Sequence, residues 1–517
     1  MREFLLGFDI GSSSVKASLI DLDTGSLVAS AVSPEIEMPI MAQRPGWAEQ
    51  DPEIWWREMI RACGKLRNTI GIDILPVKAV GISYQEHGLV AVDKNSNLLR
   101  PAIIWCDSRA VEIGNRALQE IGEETCFSRL LNGPGNFTAS KLAWVKEKEP
   151  HIYQKIAKIM LPGDYIGLKL TGITATTLPG LSEGIFIDFS EQKPARFLLA
   201  HYGIDPDLLP DVVPTFGDQG RIIPPAAQAL GIRPGARLSF RAGDQHANAF
   251  GLKVLEPGEA AANAGTSGVV YAVSDKQVFD SSSRVNTFLH VNHSPDLPRY
   301  SVVLCVNGAG ILYSWVRRLL SGDRRTPAGP GSSTGDGDPG ALVDYSELNR
   351  MADGIPIGSE GLVILPYGNG SERTLENRNP GAAIRGLNFN IHQRPHLIRA
   401  ALEGIAFALQ YGNEILKSIG LDVKRLKAGK GNLFLSPVFS ATLASISGSP
   451  IELLNTDGSQ AAARGAGLGV GHYRNYEEAL LPVKTEQWYE PDLNRLSQYV
   501  EAYGRWKETL LKELASP

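Results

Sequence analysis

The feature that most constrains this chain is a pattern that occurs twice. Near the start, the β-rich runs Phe4 to Phe8 and Val15 to Ile20 flank Asp9-Ile10-Gly11-Ser12-Ser13-Ser14, which reads as a hairpin with a small-residue turn. Far downstream, Ala260 to Ala264 and Gly268 to Val273 flank Gly265-Thr266-Ser267 in the same way. Two hairpins of one design predict two halves of one design. A chain of 517 residues is too long for one ordinary core, which points the same way.

Both halves continue with alternating helices and strands, an α/β grammar. In the first, Asp51 is placed to cap a helix with Pro52 at its first position, running through Trp55, Met59, Ile60 and Cys63, and Val77 to Ser83 reads as a strand. In the second, Pro395 to Ile419 reads as a long amphipathic helix, Leu453 as a strand residue, and Ser459 to Val470 as an alanine-glycine helix able to pack closely. The spacing of Leu496, Tyr499, Val500, Tyr503 and Trp506 predicts a terminal packing helix. Leu252 to Gly258 is the boundary candidate, dividing the chain into residues 1–251 and 252–517. The Gly-Pro-Ser-rich stretch 321–340 reads as a surface loop within the second half.

The 51 Lys plus Arg against 56 Asp plus Glu give no footprint for nucleic acid, and a small-molecule partner fits better. Cys63, Cys106, Cys126 and Cys305 lack metal-ligand spacing or the density of a disulfide scaffold and read as reduced thiols in cytoplasm. The N-terminal apolar stretch is broken by Asp9, and no apolar run reaches bilayer length, so neither a signal peptide nor a membrane partner is expected.

A turn of Gly and Ser can direct successive backbone N–H groups at phosphate oxygens, and Gly11, Ser12, Ser13 and Ser14, with Lys16 close behind, meet that description. Asp9, just before the turn, is placed to hold the water shell of a magnesium ion on phosphates. The bland alternative is an ordinary serine-rich turn, and the matching turn at Gly265 and Thr266 is what tips the balance. Asp244, in Gly243-Asp244-Gln245-His246, falls where a strand meets a helix, so it is either a helix cap or the carboxylate that accepts a hydroxyl proton. Gln85, Glu86 and His87 end a strand with side chains suited to reading hydroxyl groups. Trp105, beside a helix-capping Asp107, either stacks on a sugar or belongs to the core. Glycines at Gly310 and in Gly429-Lys430-Gly431-Asn432 permit close approach of a base or ribose.

In this order and at these separations, Phe-Asp-Ile-Gly-Ser-Ser-Ser, Gln-Glu-His-Gly, Trp-Cys-Asp-Ser-Arg, Gly-Asp-Gln, Gly-Thr-Ser and Ala-Ala-Ala-Arg-Gly-Ala-Gly resemble the FGGY carbohydrate kinases over nearly the whole chain. The resemblance implies an α/β fold of two ribonuclease-H-like domains of the actin and hexokinase type, with the active site in the cleft between them. It implies ATP and Mg2+ as cofactors, a small sugar as substrate, and a homodimer as the commonest assembly. By position, Asp244 matches the general base and, with Asp9, the metal site. Ser12, Ser13 and Ser14 match the first phosphate turn, Thr266 the second, and Gly310, Gly431 and Asn432 the nucleotide contacts. Gln85, His87 and Trp105 fall where the family contacts sugar, beside Glu86 and Gln245. D-Xylulose is the first substrate expected, with another ketose, a sugar acid or a polyol as alternatives. A chaperone or filament ATPase of the superfamily and a silent sugar sensor are the non-kinase alternatives. The members this chain looks most like usually carry methionine at the position of Glu86, and its segment 429–437 is longer than theirs.

Overall fold

A computed structural model describes residues 2–321 and 342–515. Apart from Ser321, the stretch expected to form a surface loop lies outside the described residues.

Strands β1 (Phe4–Ile10), β2 (Val15–Asp21) and β3 (Leu27–Ser33) form an antiparallel meander. Helix α1 (Pro52–Ile70) then leads to β4 (Val77–Tyr84), which lies parallel to β1. Asp51 caps α1 as its sequence predicts, its Oδ1 accepting from the Glu53 amide at 3.0 Å. The last strand, β5 (Arg237–Gly243), lies parallel to β4 and feeds helix α2 (Asp244–Gly251), so the sheet reads β5-β4-β1-β2-β3. Apart from the edge strand β3, these strands are buried nearly throughout, the pattern of a sheet covered on both faces.

The second half repeats the plan. Strands β6 (Glu259–Ala264), β7 (Gly268–Ser274), β8 (Asn286–Leu289) and β9 (Tyr300–Val306) are followed by α3 (Ala309–Leu320) and α4 (Arg394–Ser418). Strand β10 (Arg425–Gly429), α5 (Pro437–Ser447), β11 (Ile451–Leu454), α6 (Gly458–Gly469), β12 (Thr485–Tyr489) and α7 (Leu496–Ala515) complete it. The sheet order is β8-β9-β7-β6-β10-β11-β12. Within it, β9-β7-β6 is antiparallel and β6-β10-β11 parallel, matching β3-β2-β1 and β1-β4-β5. Helix α7 packs through Tyr499, Tyr503 and Trp506, whose indole N–H reaches the Ile364 carbonyl at 3.0 Å. Val500, expected in that stripe, instead faces solvent at 53% exposure because it lies one residue past the apolar seam.

The two halves meet where α6, from the second, lies on the first sheet. A Cβ on Gly7 would sit 1.9 Å from the Ser459 carbonyl oxygen, and one on Gly81 1.9 Å from that of Ala462. Only glycine permits backbone to approach this closely. Ala461, Ala462, Ala463 and Ala466 are fully buried in the contact, and the Ser18 and Ser459 hydroxyls meet at 2.7 Å. Gly81→Ala is therefore expected to lower stability by about 1–3 kcal/mol or more, because the obstructing atom is backbone and has no rotamer to change. Gly64→Ala, on α1 with its nearest neighbour atom at 4.0 Å, should instead gain about 0.5–1 kcal/mol. Urea denaturation of both variants checks the contrast.

Candidate active site

The first turn closes with a single backbone bond, Gly11 N–H to Ser14 O at 3.0 Å. Register places Asp9 on β1 opposite Lys16 on β2 and Ser83 on β4. The Ser83 hydroxyl donates to Asp9 Oδ1 at 2.7 Å. Burial raises the Asp9 carboxyl above its ordinary range; the Ser83 bond works against this, and the charge of Asp457 adds to it. Asp457 caps α6 through the Ser459 and Gln460 amides, and Lys16 Nζ binds its Oδ2 at 2.8 Å. A Cβ on Gly458 would lie 2.6 Å from Asp9 Oδ2, so the start of α6 comes down on the Asp9 end of the first turn.

Asp244 opens α2, but Gly243 is the capping residue and no side chain caps the helix. Its Oδ1 instead accepts from the Gln245 amide at 3.2 Å, at the floor of the cleft. Burial first, then the charges of Glu86 and Asp9, hold its carboxyl well above the ordinary aspartate range. Such a group keeps its basicity, which is what accepting a hydroxyl proton requires.

Beside Asp244 the end of β4 carries a dense polar network. Gln50 Nε2 donates to the Ser12 carbonyl at 2.6 Å and the Pro39 carbonyl at 3.3 Å, while its Oε1 accepts from the Trp55 indole at 3.0 Å. That fixes its orientation, so it meets Gln85 through Oε1, at 3.5 Å from Gln85 Nε2. Glu86 Oε1 pairs with His246 Nδ1 at 2.8 Å, and His246 Nε2 reaches the Leu289 carbonyl at 3.0 Å. Burial pushes the Glu86 carboxyl up, but the His246 imidazole outweighs this and leaves it below its usual value. His87, at a positive φ of 59°, sets Nδ1 2.9 Å from the Glu183 carbonyl. Burial pushes its imidazole down to about 4, which leaves it neutral. Lys141 Nζ holds the carbonyls of His87 and Ile104 at 2.8 and 3.0 Å, and burial pushes it down to about 7. Glu183 accepts from the Tyr84 hydroxyl at 2.5 Å. Burial, then the charge of Glu86, holds its carboxyl well above the usual range.

Trp105 is not core: it is 41% exposed, with its indole N–H 3.3 Å from the Ser12 hydroxyl. Asp107 is not a helix cap. The next helix, Val111–Ile121, begins at Ala110 without a side-chain cap. The Asp107 carboxylate is buried, binding the Ala48 and Arg109 amides and the Arg109 guanidinium, which lies 3.8 Å over the Trp47 ring.

In the second half, Gly310 N–H donates to the Gly265 carbonyl at 2.9 Å, and a Cβ on Gly265 would lie 3.4 Å from the Asn432 amide nitrogen. The second turn, the start of α3 and the segment after β10 thus converge, with Thr266 exposed and open space around Gly431. Asp457, Glu183, Lys141, His246 and Gln50 were not singled out by sequence. Asp457 had a signal, an acid before Gly-Ser-Gln at a helix start; the others meet their partners only through the fold.

The N-terminal domain model of the FGGY family of carbohydrate kinases matches residues 4–251, and its C-terminal domain model matches residues 260–468. A xylulose kinase of Klebsiella pneumoniae is 30% identical over 96% of this chain and 96% of its own length. The crystal structure of xylulose kinase from Rhodospirillum rubrum superposes with a TM-score of 0.82 at 26% identity, covering 98% of each chain. That of gluconate kinase from Lactobacillus acidophilus shares the fold, with a TM-score of 0.85 at 23% identity over 100% of this chain and 99% of that one. This chain belongs to the FGGY family of carbohydrate kinases and has its two-domain fold. It is an ATP-dependent sugar kinase.

The carboxylates around Asp244 make its protonation a measurable property. A base at Asp244 would have to be unprotonated, and in that role kcat/KM is expected to fall on the acid side through a pKa well above the ordinary aspartate range. Glu86→Gln removes the larger of the two neighbouring charges that raise it, and should move this acid limb to lower pH. A pH–rate profile in which the limb stays in place or moves up contradicts the assignment.

Proposed function

We propose that the protein phosphorylates D-xylulose to D-xylulose 5-phosphate, with Asp244 as general base. The observation that carries this is the setting of Asp244: it stands at a helix start it does not cap, between the Asp9 turn and the polar end of β4. In this reading the domains are residues 1–251 and 252–517, and the enzyme works in the cytoplasm. Asp244 takes the proton of the terminal sugar hydroxyl as its oxygen attacks the γ-phosphorus in line; the bond from that phosphorus to the bridging oxygen breaks and ADP leaves. Gln85, His87 and Trp105 hold the sugar, and Gln245 steadies the base. Gly11 to Ser14, with Lys16, face the phosphates from one side and Gly265 and Thr266 from the other. Gly310, Gly431 and Asn432 lie by the nucleotide.

Asp9 and Asp244 suit Mg2+, a hard cation that takes one or two carboxylates together with substrate phosphates and water. The charge of Asp9 helps raise Asp244, and that of Asp457 helps raise Asp9; a divalent cation would relieve both. When bound, that ion neutralises charge on the β- and γ-phosphate oxygens. The xylulose kinase relatives support the choice of sugar.

Asp244→Asn is expected to lower kcat by at least about a thousandfold while ADP affinity stays within a few fold. Wild-type turnover in that variant removes Asp244 from the mechanism. A coupled ADP-release screen over pentuloses, hexuloses, pentitols, glycerol and gluconate tests the sugar. D-xylulose should rank first; a low rank overturns the substrate and leaves the kinase standing.

A further inference from the structure

The wall beside Asp244 is unusual in what it lacks. His246 Nε2 faces a carbonyl, an atom that only accepts, so this nitrogen carries a proton. Nδ1 faces the Glu86 carboxylate at 2.8 Å, and a second proton lies between the two. His246 thereby fixes one oxygen of Glu86. The other, Oε2, lies 3.7 Å from His87 Nε2. His87 donates through Nδ1 to the Glu183 carbonyl, so its Nε2 is a lone pair. Two acceptors thus face each other with no proton between them. Gln85 Oε1 is also a buried acceptor without a hydrogen-bond partner.

The donors nearby each have at least one partner. The Gln245 amide binds Asp244, the Gln85 amide faces Gln50, and Lys141 holds two carbonyls. Arg373 binds Asn286 and stacks 4.6 Å from the centre of the Phe137 ring. Glu86 Oε2, His87 Nε2 and Gln85 Oε1 ask for donors, and buried acceptors left unmatched carry a large free-energy penalty.

We propose that the Glu86–His246 pair is a specificity-determining element: it fixes a negatively charged, acceptor-rich wall beside the base, which admits neutral ketoses and polyols through their hydroxyl protons and turns away sugar acids. This rests on the kinase reading above and deepens it. A sugar carboxylate brings only acceptors and a negative charge to that wall, whereas each hydroxyl brings a proton.

The test compares D-xylulose and xylitol with D-gluconate. By coupled ADP release, the wild-type kcat/KM for the better neutral substrate should exceed that for gluconate by at least about 100-fold. Glu86→Gln places an amide donor on the wall at constant shape and should narrow that ratio by about tenfold or more. Equal or better use of gluconate by the wild type overturns the proposal while leaving the kinase intact, and so does an unchanged ratio in a folded variant. Calorimetry of the wild type with each sugar needs neither the variant nor turnover: tighter binding of a neutral sugar supports the wall, and gluconate binding as tightly, or no binding of either, overturns it. ADP release stimulated by no sugar, alongside selective neutral-sugar binding, would instead sink the kinase reading and keep the wall.

Discussion

Everything at the active site depends on one contact, the seating of α6 against the backbone of β1 and β4. Gly7 and Gly81 have no side chains, and the facing helix offers alanines and serines, so helix and sheet approach to backbone distance. The approach delivers the N-terminus of α6 to the end of β1. There Asp457 meets Lys16, and Gly458 covers the Asp9 carboxylate. A larger residue at either glycine would lift the second half away from the first and separate these groups.

Once the halves are joined, the site is organised by negative charge held out of water. The charges of Glu86 and Asp9 raise Asp244, that of Asp457 raises Asp9, and that of Glu86 raises Glu183. The protein answers each of these charges differently. Glu86 receives His246, Asp457 receives Lys16, and Asp9 receives only a serine hydroxyl. Asp244 receives a single neutral amide. The two carboxylates that the proposed chemistry assigns to metal and base are among those bonded only by neutral donors, as expected where ligands complete the electrostatics.

Much of this was legible because it is local. The repeated hairpins, the Asp51 cap and the small-residue helix follow from patterns a few residues long, and the structure shows each of them. What failed or was missed involves distance. Asp107 sits before a helix as a cap would, yet it is drawn inward by Arg109, whose guanidinium is sandwiched against Trp47. Glu183 and Lys141 lie in helices whose own periodicity marks them only as buried. Their meaning comes from Tyr84 and His87, which the fold brings to them from another segment. Trp105 was undecidable by residue type, since an indole serves core and surface equally well, and only its place above Ser12 settles which.

The glycine joint also limits how this molecule can move. Side-chain interfaces slide in small steps because rotamers can repack as packed elements shift. At Gly7 and Gly81 there is no rotamer to repack, and carbonyl oxygens occupy the space a side chain would need. Sliding is thereby blocked along the seam of α6. The second half is thus held in fixed register on the first along this seam, and with it the start of α6 over Asp9.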